Sequence, residues 1–458
     1  MSESVFRGWA MIRMFGNLVL AVVLSLGSCA ATRADDRLRV IIETDAGGDP
    51  DDEQSLVRFL LYVNEWDVQG IIANRPTARD KENRNPQRTG LGIVQAMLKA
   101  YAQCYPNLRL HDRRYPTPDY LWQRTVAGYD NVADGVKLII WAVDDPDPRP
   151  VWFCNWGTDK GSATSCLKRA LDQVLRERGQ AGYARFKSRL RLSSADRFGE
   201  HTTVLQPPFP LLVDTLRPEI GGKRWYHQFS AITATAGGFD LERDALKGHG
   251  PLGAMYPTNT THRQKEGDTM TFLYLVPTGM NDPDHPDWGS WAGRYGPSET
   301  SPGRRYYWAN QQDTWDGTAS RENTLRRWAA DLQNDFRARL DWCVSDFAHA
   351  NHPPRPGVKG GMRRTVSAGE LVALDASDST DPDGNPLRFH WLIYPEPGSF
   401  RGAPPQIQDG DWAKAALVAP AVASEQTIHV ILTVSDNGSP PLCRYQRLLL
   451  RVLPATRP

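Results

Sequence analysis

Cysteine is scarce in this sequence, and so is any excess of charge. Only six of the 458 residues are Cys. Past Cys29 they stand at Cys104, Cys154, Cys166, Cys343 and Cys443. An odd number at scattered spacings is no disulfide framework, and nothing has zinc-ligand spacing. A single disulfide among them stays open, with no pairing assigned. Lys and Arg number 54 against 53 Asp and Glu, a formal net charge of +1. Nothing electrostatic therefore argues for a nucleic acid polymer as partner. No internal repeat is visible, and beyond the amino-terminal region no run is long and apolar enough to be transmembrane.

What remains is the composition of a globular chain, 40% hydrophobic and 23% charged, long enough for two or three domains with full cores. Fifteen Trp and fifteen Tyr are chiefly core material, although exposed aromatic faces also stack on sugar rings. Residues 1–34 have the form of a secretory leader. Arg7 and Arg13 supply its positive part, Met14 to Leu26 its short apolar part, and Ala30-Ala31-Thr32-Arg33-Ala34 its small-residue cleavage sites. Leu26-Gly27-Ser28-Cys29 also has the form of a lipoprotein box, with Cys29 as the lipid carrier. The expected location is secreted, or the periplasm or cell envelope.

The chain is organised around LRVIIETDAGGDPDDEQSLVRFLL, Leu38 to Leu61. The apolar run Leu38, Val40, Ile41, Ile42 suits a buried parallel strand. Leu56, Val57, Phe59, Leu60 and Leu61 are spaced as the inner face of a helix. Between them lies a glycine turn, at the carboxyl end of a strand, where open α/β sheets place ligands. Asp45, Asp49, Asp51, Asp52 and Glu53, with Glu43 just before, crowd six carboxylates into this turn. A hard cation with oxygen ligands, Ca²⁺, would neutralise them. Helix capping explains the same acids: Asp49 as N-cap, Pro50 at the first helical position, and Asp51, Asp52 and Glu53 complementing the helix dipole.

Short apolar strands alternate with helical patterns from residue 38 to about 347. Strands are expected at Val68 to Ala73, Arg149 to Trp156 and Phe272 to Val276. Helices are expected over 87–101, 136–143, 162–177 and 321–347. This pattern predicts a mostly parallel sheet with helices on both faces. Polar residues follow or end the strands: Asp45, Asn74, Asn155 with Thr158, and Asp282. Residues 348–359, including Asn351-His352-Pro353-Pro354-Arg355-Pro356-Gly357, have the composition of a linker. Residues 360–458 change to period-two alternation, as in Phe389, Trp391, Ile393 and Ile428, Val430, Leu432, Val434. That spacing predicts a small all-β, immunoglobulin-like sandwich. The linker composition implies a first domain, 38–347, that folds without the second. Asp378-Ser379-Thr380-Asp381-Pro382-Asp383 reads as a hairpin turn, with Ca²⁺ binding as its alternative.

The order acid-Thr-Asp-x-Gly followed by Asp-Asp resembles the amino-terminal signature of nucleoside hydrolases. GGDPDDEQSLVRFLLY is closer to a secreted branch of that superfamily described as cellulose-binding and nucleoside-hydrolase-like, with a carboxyl-terminal immunoglobulin-like domain. Two departures stand out: Glu43 where the motif has Asp, and Asp49-Pro50 inserted before the acid pair. Gly279-Met280-Asn281-Asp282-Pro283 resembles the family's carboxyl-terminal His-Asp-Pro. The resemblance implies Ca²⁺ held by Asp45, Asp52, Asp282 and a carbonyl near Thr158. It places Asp51 and Asn74 on sugar hydroxyls and makes Asp45 the base that activates water. Asn281 stands where some members carry a His that helps the leaving base depart, and an amide cannot protonate it. Glu266 and Asp268 are further candidate sugar contacts. Trp288, in DWGSWAGRY, is either an aromatic wall of the pocket or part of a packed loop. The implied activity is Ca²⁺-dependent hydrolysis of an N-glycosidic or related sugar bond. The alternative is a carbohydrate-binding protein, for cellulose or another plant polysaccharide, that keeps a non-catalytic hydrolase-like pocket.

Overall fold

The computed structural model describes residues 36–156, 165–195, 207–215, 225–260 and 263–455. The leader with Cys29, and Thr158, lie outside the described residues.

Eight strands form the first sheet: β1 (Leu38–Thr44), β2 (Trp66–Ala73), β3 (Thr125–Ala127), β4 (Val151–Trp156), β5 (Leu190–Ser194), β6 (Leu212–Asp214), β7 (Gly296–Pro297) and β8 (Tyr306–Trp308). Their spatial order is β3-β2-β1-β4-β5-β6-β8-β7. Every pairing is parallel except the edge pair β7–β8. The strand order reverses at β1, so the crevice at the carboxyl ends of β1 and β4 is where such a sheet binds ligands.

Helices α1 (Asp51–Tyr62), α2 (Gly90–His111), α3 (Pro118–Gln123), α4 (Val132–Asp144) and α5 (Cys166–Ser188) return the chain between strands. Two apolar cores follow. One joins the α1 and α2 side of the sheet to the helix Ala329–Trp342; the other lies under α4 and α5. All twelve residues of α1 are buried, more than the one-sided pattern of its sequence implies. Tertiary packing encloses its polar face too, and Gln54 and Arg58 there meet buried partners.

Two expected elements differ. Phe272 to Val276 is not a strand: Thr269–Leu273 is a short helix, followed by turns. A continuous apolar run serves a buried helix as well as a buried strand, and periodicity cannot separate them. The long helix over 321–347 is broken into Asn323–Arg326 and Ala329–Trp342, with Trp328 as N-cap of the second.

Residues 363–453 build two small sheets face to face. One is four-stranded: β11 (Arg363–Ser367), β17 (Cys443–Leu453), β16 (Gln426–Ser435) and β13 (Arg388–Tyr394). The other has three strands, β12 (Leu371–Asp375), β15 (Lys414–Val418) and β14 (Ile407–Gln408). (β9, Asp313–Trp315, and β10, Thr318–Ser320, form a separate hairpin.) Inward residues of both sheets share a core around Trp391, Leu417, Val430, Leu432 and Leu450. The connecting segment is packed rather than loose. Asn351 and His352 are buried, bonded to Asp436 and Asp383.

Candidate functional site

The site grows from the turn between β1 and α1. Gly47 takes φ +95°, a left-handed conformation that favours Gly, and Gly48 N–H closes the turn onto the Asp45 carbonyl at 3.0 Å. The N-cap of α1 is Pro50, with no side-chain capping bond. Asp49 is thus not the cap expected of it; its carboxylate reaches Lys265 Nζ instead. Asp51 and Asp52 occupy the first turn of α1. Asp52 Oδ1 accepts from Thr44 Oγ1 at 2.5 Å and from the Asp45 N–H at 3.2 Å.

Asp268, at the start of the helix Thr269–Leu273, comes in from the other side. Oxygens of Asp51, Asp52 and Asp268 lie within 4.8 Å of one another, and all three residues are buried. Burial and mutual repulsion raise their pKa values, Asp52 and Asp268 well above the usual carboxylate range and Asp51 to about 6. Asp45 sits beside them, its own pKa raised by burial although Arg75 pulls it down. Lys265 Nζ lies 3.1 Å from Asp51. Arg75 bonds the Asp45 carboxylate and carbonyl, each at 3.2 Å. Among the described residues Asp268 Oδ2 is buried with no hydrogen-bond partner. Hard oxygen donors, crowded, desolvated and with one oxygen left over, fit a hard divalent cation.

The structure corrects several sequence expectations. Asp282 does not join the cluster. It accepts from the Asp284 N–H in a turn, and its carboxylate lies 3.8 Å from Arg363 of β11. Asp51 and Asp268, named as candidate sugar contacts, both lie in the acidic cluster. Glu266 is no sugar contact: it is fully buried and accepts from Arg58, Tyr256, Gln264 and Thr269. Its φ of +46° turns the chain between Lys265 and Asp268. Asn281 is held in its own turn by Thr278 and the Tyr274 carbonyl. Trp288 belongs to a packed loop, stacked on His285 and edge-on to His429 of the sandwich. Asn74 does lie at the end of β2 and donates to Glu43 at 2.7 Å. Glu43 also accepts from Cys166 N–H and Ser165, and burial lifts its pKa to about 7. It braces Asn74 against the start of α5.

Lys265 and Arg75 escaped the sequence reading, and Thr44 entered it only as a letter of the motif, with no role. Arg75 follows the expected strand end at Asn74 directly, a usable signal. Lys265 has none, since it meets Asp49 and Asp51 only through the fold.

A family model described as "Cellulose-binding Sde182, nucleoside hydrolase-like domain" matches residues 39–295, and one described as "Cellulose-binding protein Sde0182, C-terminal domain" matches residues 371–452. A solved structure of a nucleoside hydrolase-related hypothetical protein from Saccharophagus degradans, associated with carbohydrate metabolism, is 33% identical. The match covers 91% of this chain and 100% of that one, with a TM-score of 0.70. A PKD domain from the KIAA 1837 protein is 17% identical over 22% of this chain and 89% of its own, at a TM-score of 0.17, too low to bear on the fold. No curated protein matches the chain.

Proposed function

The chain belongs to the cellulose-binding, nucleoside hydrolase-like family, and from that premise we propose a Ca²⁺-dependent hydrolase of an N-glycosidic or related sugar bond. The observation that carries this reading is the convergence of Asp51, Asp52 and Asp268 beside Asp45, with one buried carboxylate oxygen unpartnered. Asp51, Asp52 and Asp268 would hold the cation, with Asp45 at its edge. Bound there, Ca²⁺ supplies a docking point for sugar hydroxyls and lowers the pKa of a water.

The remaining chemistry belongs to the chain. Asp45 accepts the proton of the water that attacks the anomeric carbon, and burial raises its pKa in the direction that makes it a better base. Arg75 fixes the Asp45 carboxylate from one side, and the bond from its N–H to Asp52 fixes the backbone on the other. Thr44 aims Asp52. Lys265 offsets Asp49 and Asp51, so the crowded acids stay together.

A second reading has its own support. Asn281, at the family's leaving-group position, is spent on a turn, which favours a pocket that binds a carbohydrate without cleaving it. The leader-like sequence of residues 1–34 supports secretion or the cell envelope as the setting of either activity. Turnover of nitrophenyl riboside and related glycosides, with and without a chelator, tests the pair. Hydrolysis lost to the chelator and restored by Ca²⁺ is the expected result. Chelator-insensitive absence of turnover, with retention on cellulose, would leave the binding protein.

A further inference from the structure

Two of the cysteines left unpaired by the sequence meet in the core. Cys104 lies on α2, and Cys343 caps the carboxyl end of the helix Ala329–Trp342. Both are buried, and each thiol is a leading electrostatic influence on the other, while the Cys343 thiol also faces the Arg339 carbonyl at 3.7 Å. The two helices are also tied beside them: the Asn107 amide donates to the Cys343 carbonyl at 3.0 Å. Gly250 covers the pair, since a Cβ built there would lie 3.4 Å from Cys104 Sγ and 3.5 Å from Cys343 Cβ. The other cysteines have different neighbours. Cys154 Sγ faces the Thr271 carbonyl and Cys166 Sγ that of Gly128, each at 3.8 Å. Cys443 lies beside Asp331 and Tyr445.

We propose that Cys104 and Cys343 form a disulfide site that locks α2 to the helix Ala329–Trp342, closed by a small disulfide oxidant of the oxidised-glutathione class. The bond requires these two neighbouring sulfurs to approach to bonding distance. The neighbouring Cys343 lowers the pKa of Cys104, while Cys104 and burial raise that of Cys343. Cys104 is therefore the first nucleophile. Its thiolate attacks one sulfur of the oxidant and expels a thiolate, leaving a mixed disulfide on Cys104. Cys343 then attacks the Cys104 sulfur and expels the second thiolate. One protein S–S bond forms and one oxidant S–S bond breaks. Two electrons and the two thiol protons end on two oxidant-derived thiols.

The test refolds the full chain in glutathione buffer, blocks free thiols with iodoacetamide under denaturing conditions, and maps the peptides. The expected product joins the Cys104 and Cys343 peptides, with Cys154, Cys166 and Cys443 alkylated. Dithiothreitol before blocking should free both joined sites. Because the bridge closes a long loop, the oxidised chain should melt roughly 5 °C above the reduced one, a difference absent from Cys343→Ser. Alkylation of both Cys104 and Cys343 after oxidative refolding would overturn the proposal, as would a bridge to any other cysteine. Because mapping is done on the natural sequence, the result does not depend on the variant's folding.

Discussion

Asp45 and Asp52 share one turn under different conditions. The Asp45 side chain keeps 29% of its surface in solvent, while Asp52 is 3% exposed and bonded by Thr44. Asp45→Asn retains an oxygen and its place beside Arg75, so Ca²⁺ affinity by calorimetry should change little. Glycoside turnover should fall by about 10²–10⁴, the usual cost of losing a general base. Asp52→Ala should remove Ca²⁺ binding and turnover together. Full activity in Asp45→Asn would move the base elsewhere. Glu266 answers to stability instead. Glu266→Gln keeps its shape but leaves the buried Arg58 guanidinium without its counter-charge. A broken buried pair costs about 3–5 kcal/mol, and chemical denaturation should read a loss of that order. An unchanged denaturation midpoint would mean that Arg58 finds another anion.

At the scale of elements, α2 ends on His111, which joins the first domain to the connecting segment. Its Nε2 faces the Ser345 carbonyl at 2.9 Å and must carry a proton. Its Nδ1 lies 2.8 Å from His352 Nε2, and His352 Nδ1 lies 2.8 Å from the Asp383 carboxylate. Burial, with the charge of His352, lowers the His111 pKa from 6.5 to about 4, against the pull of the Ser345 carbonyl, Asp346 and Asp383. A His depressed in the fold contributes stability that is full above about pH 6.5 and is lost as pH falls toward about 4. Protonated His111 would place a charge in this half-buried contact with His352. Urea midpoints should fall more steeply across this window in the natural chain than in His111→Asn. Parallel slopes would show that His111 does not titrate there.

For the molecule as a whole, the sandwich is built into the first domain's core. Trp328 packs edge-on against Tyr394 and Tyr445. Tyr394 donates to the buried Asp313 at 2.6 Å, and Arg444 pairs with the buried Asp335 at 2.7 Å. The start of β17 runs along residues 278–279 so closely that a Cβ on Gly279 would lie 1.9 Å from the Tyr445 carbonyl oxygen. Removing residues 355–458 strips these partners from buried carboxylates. The truncated chain should melt well below the full chain, and the full chain should unfold in one calorimetric transition. Two separate transitions, with the first domain unchanged by truncation, would restore the independent folding that the linker composition implies.

Local pattern determined much of this protein. β1, the glycine turn and α1 follow from an apolar run, two glycines and helical spacing within 24 residues, because neighbouring residues decide neighbouring backbone. Period-two alternation likewise announced β13 and β16. The crowding of Asp45, Asp51 and Asp52 was legible for the same reason: it is a property of the chain itself. The approach of Asp268 to Asp51 and Asp52 was not. Only Asp282 stood in a motif resembling a ligand position, Asp268 being a candidate sugar contact, and packing decides between them. The strained Glu266, anchored on Arg58 of α1, carries Asp268 into the cluster, while a turn leaves Asp282 beside Arg363 of the sandwich. Lys265 beside Asp51, Cys104 beside Cys343 and Arg444 on Asp335 were equally hidden, because contacts between residues more than a hundred positions apart depend on how elements pack, and no local spacing encodes that.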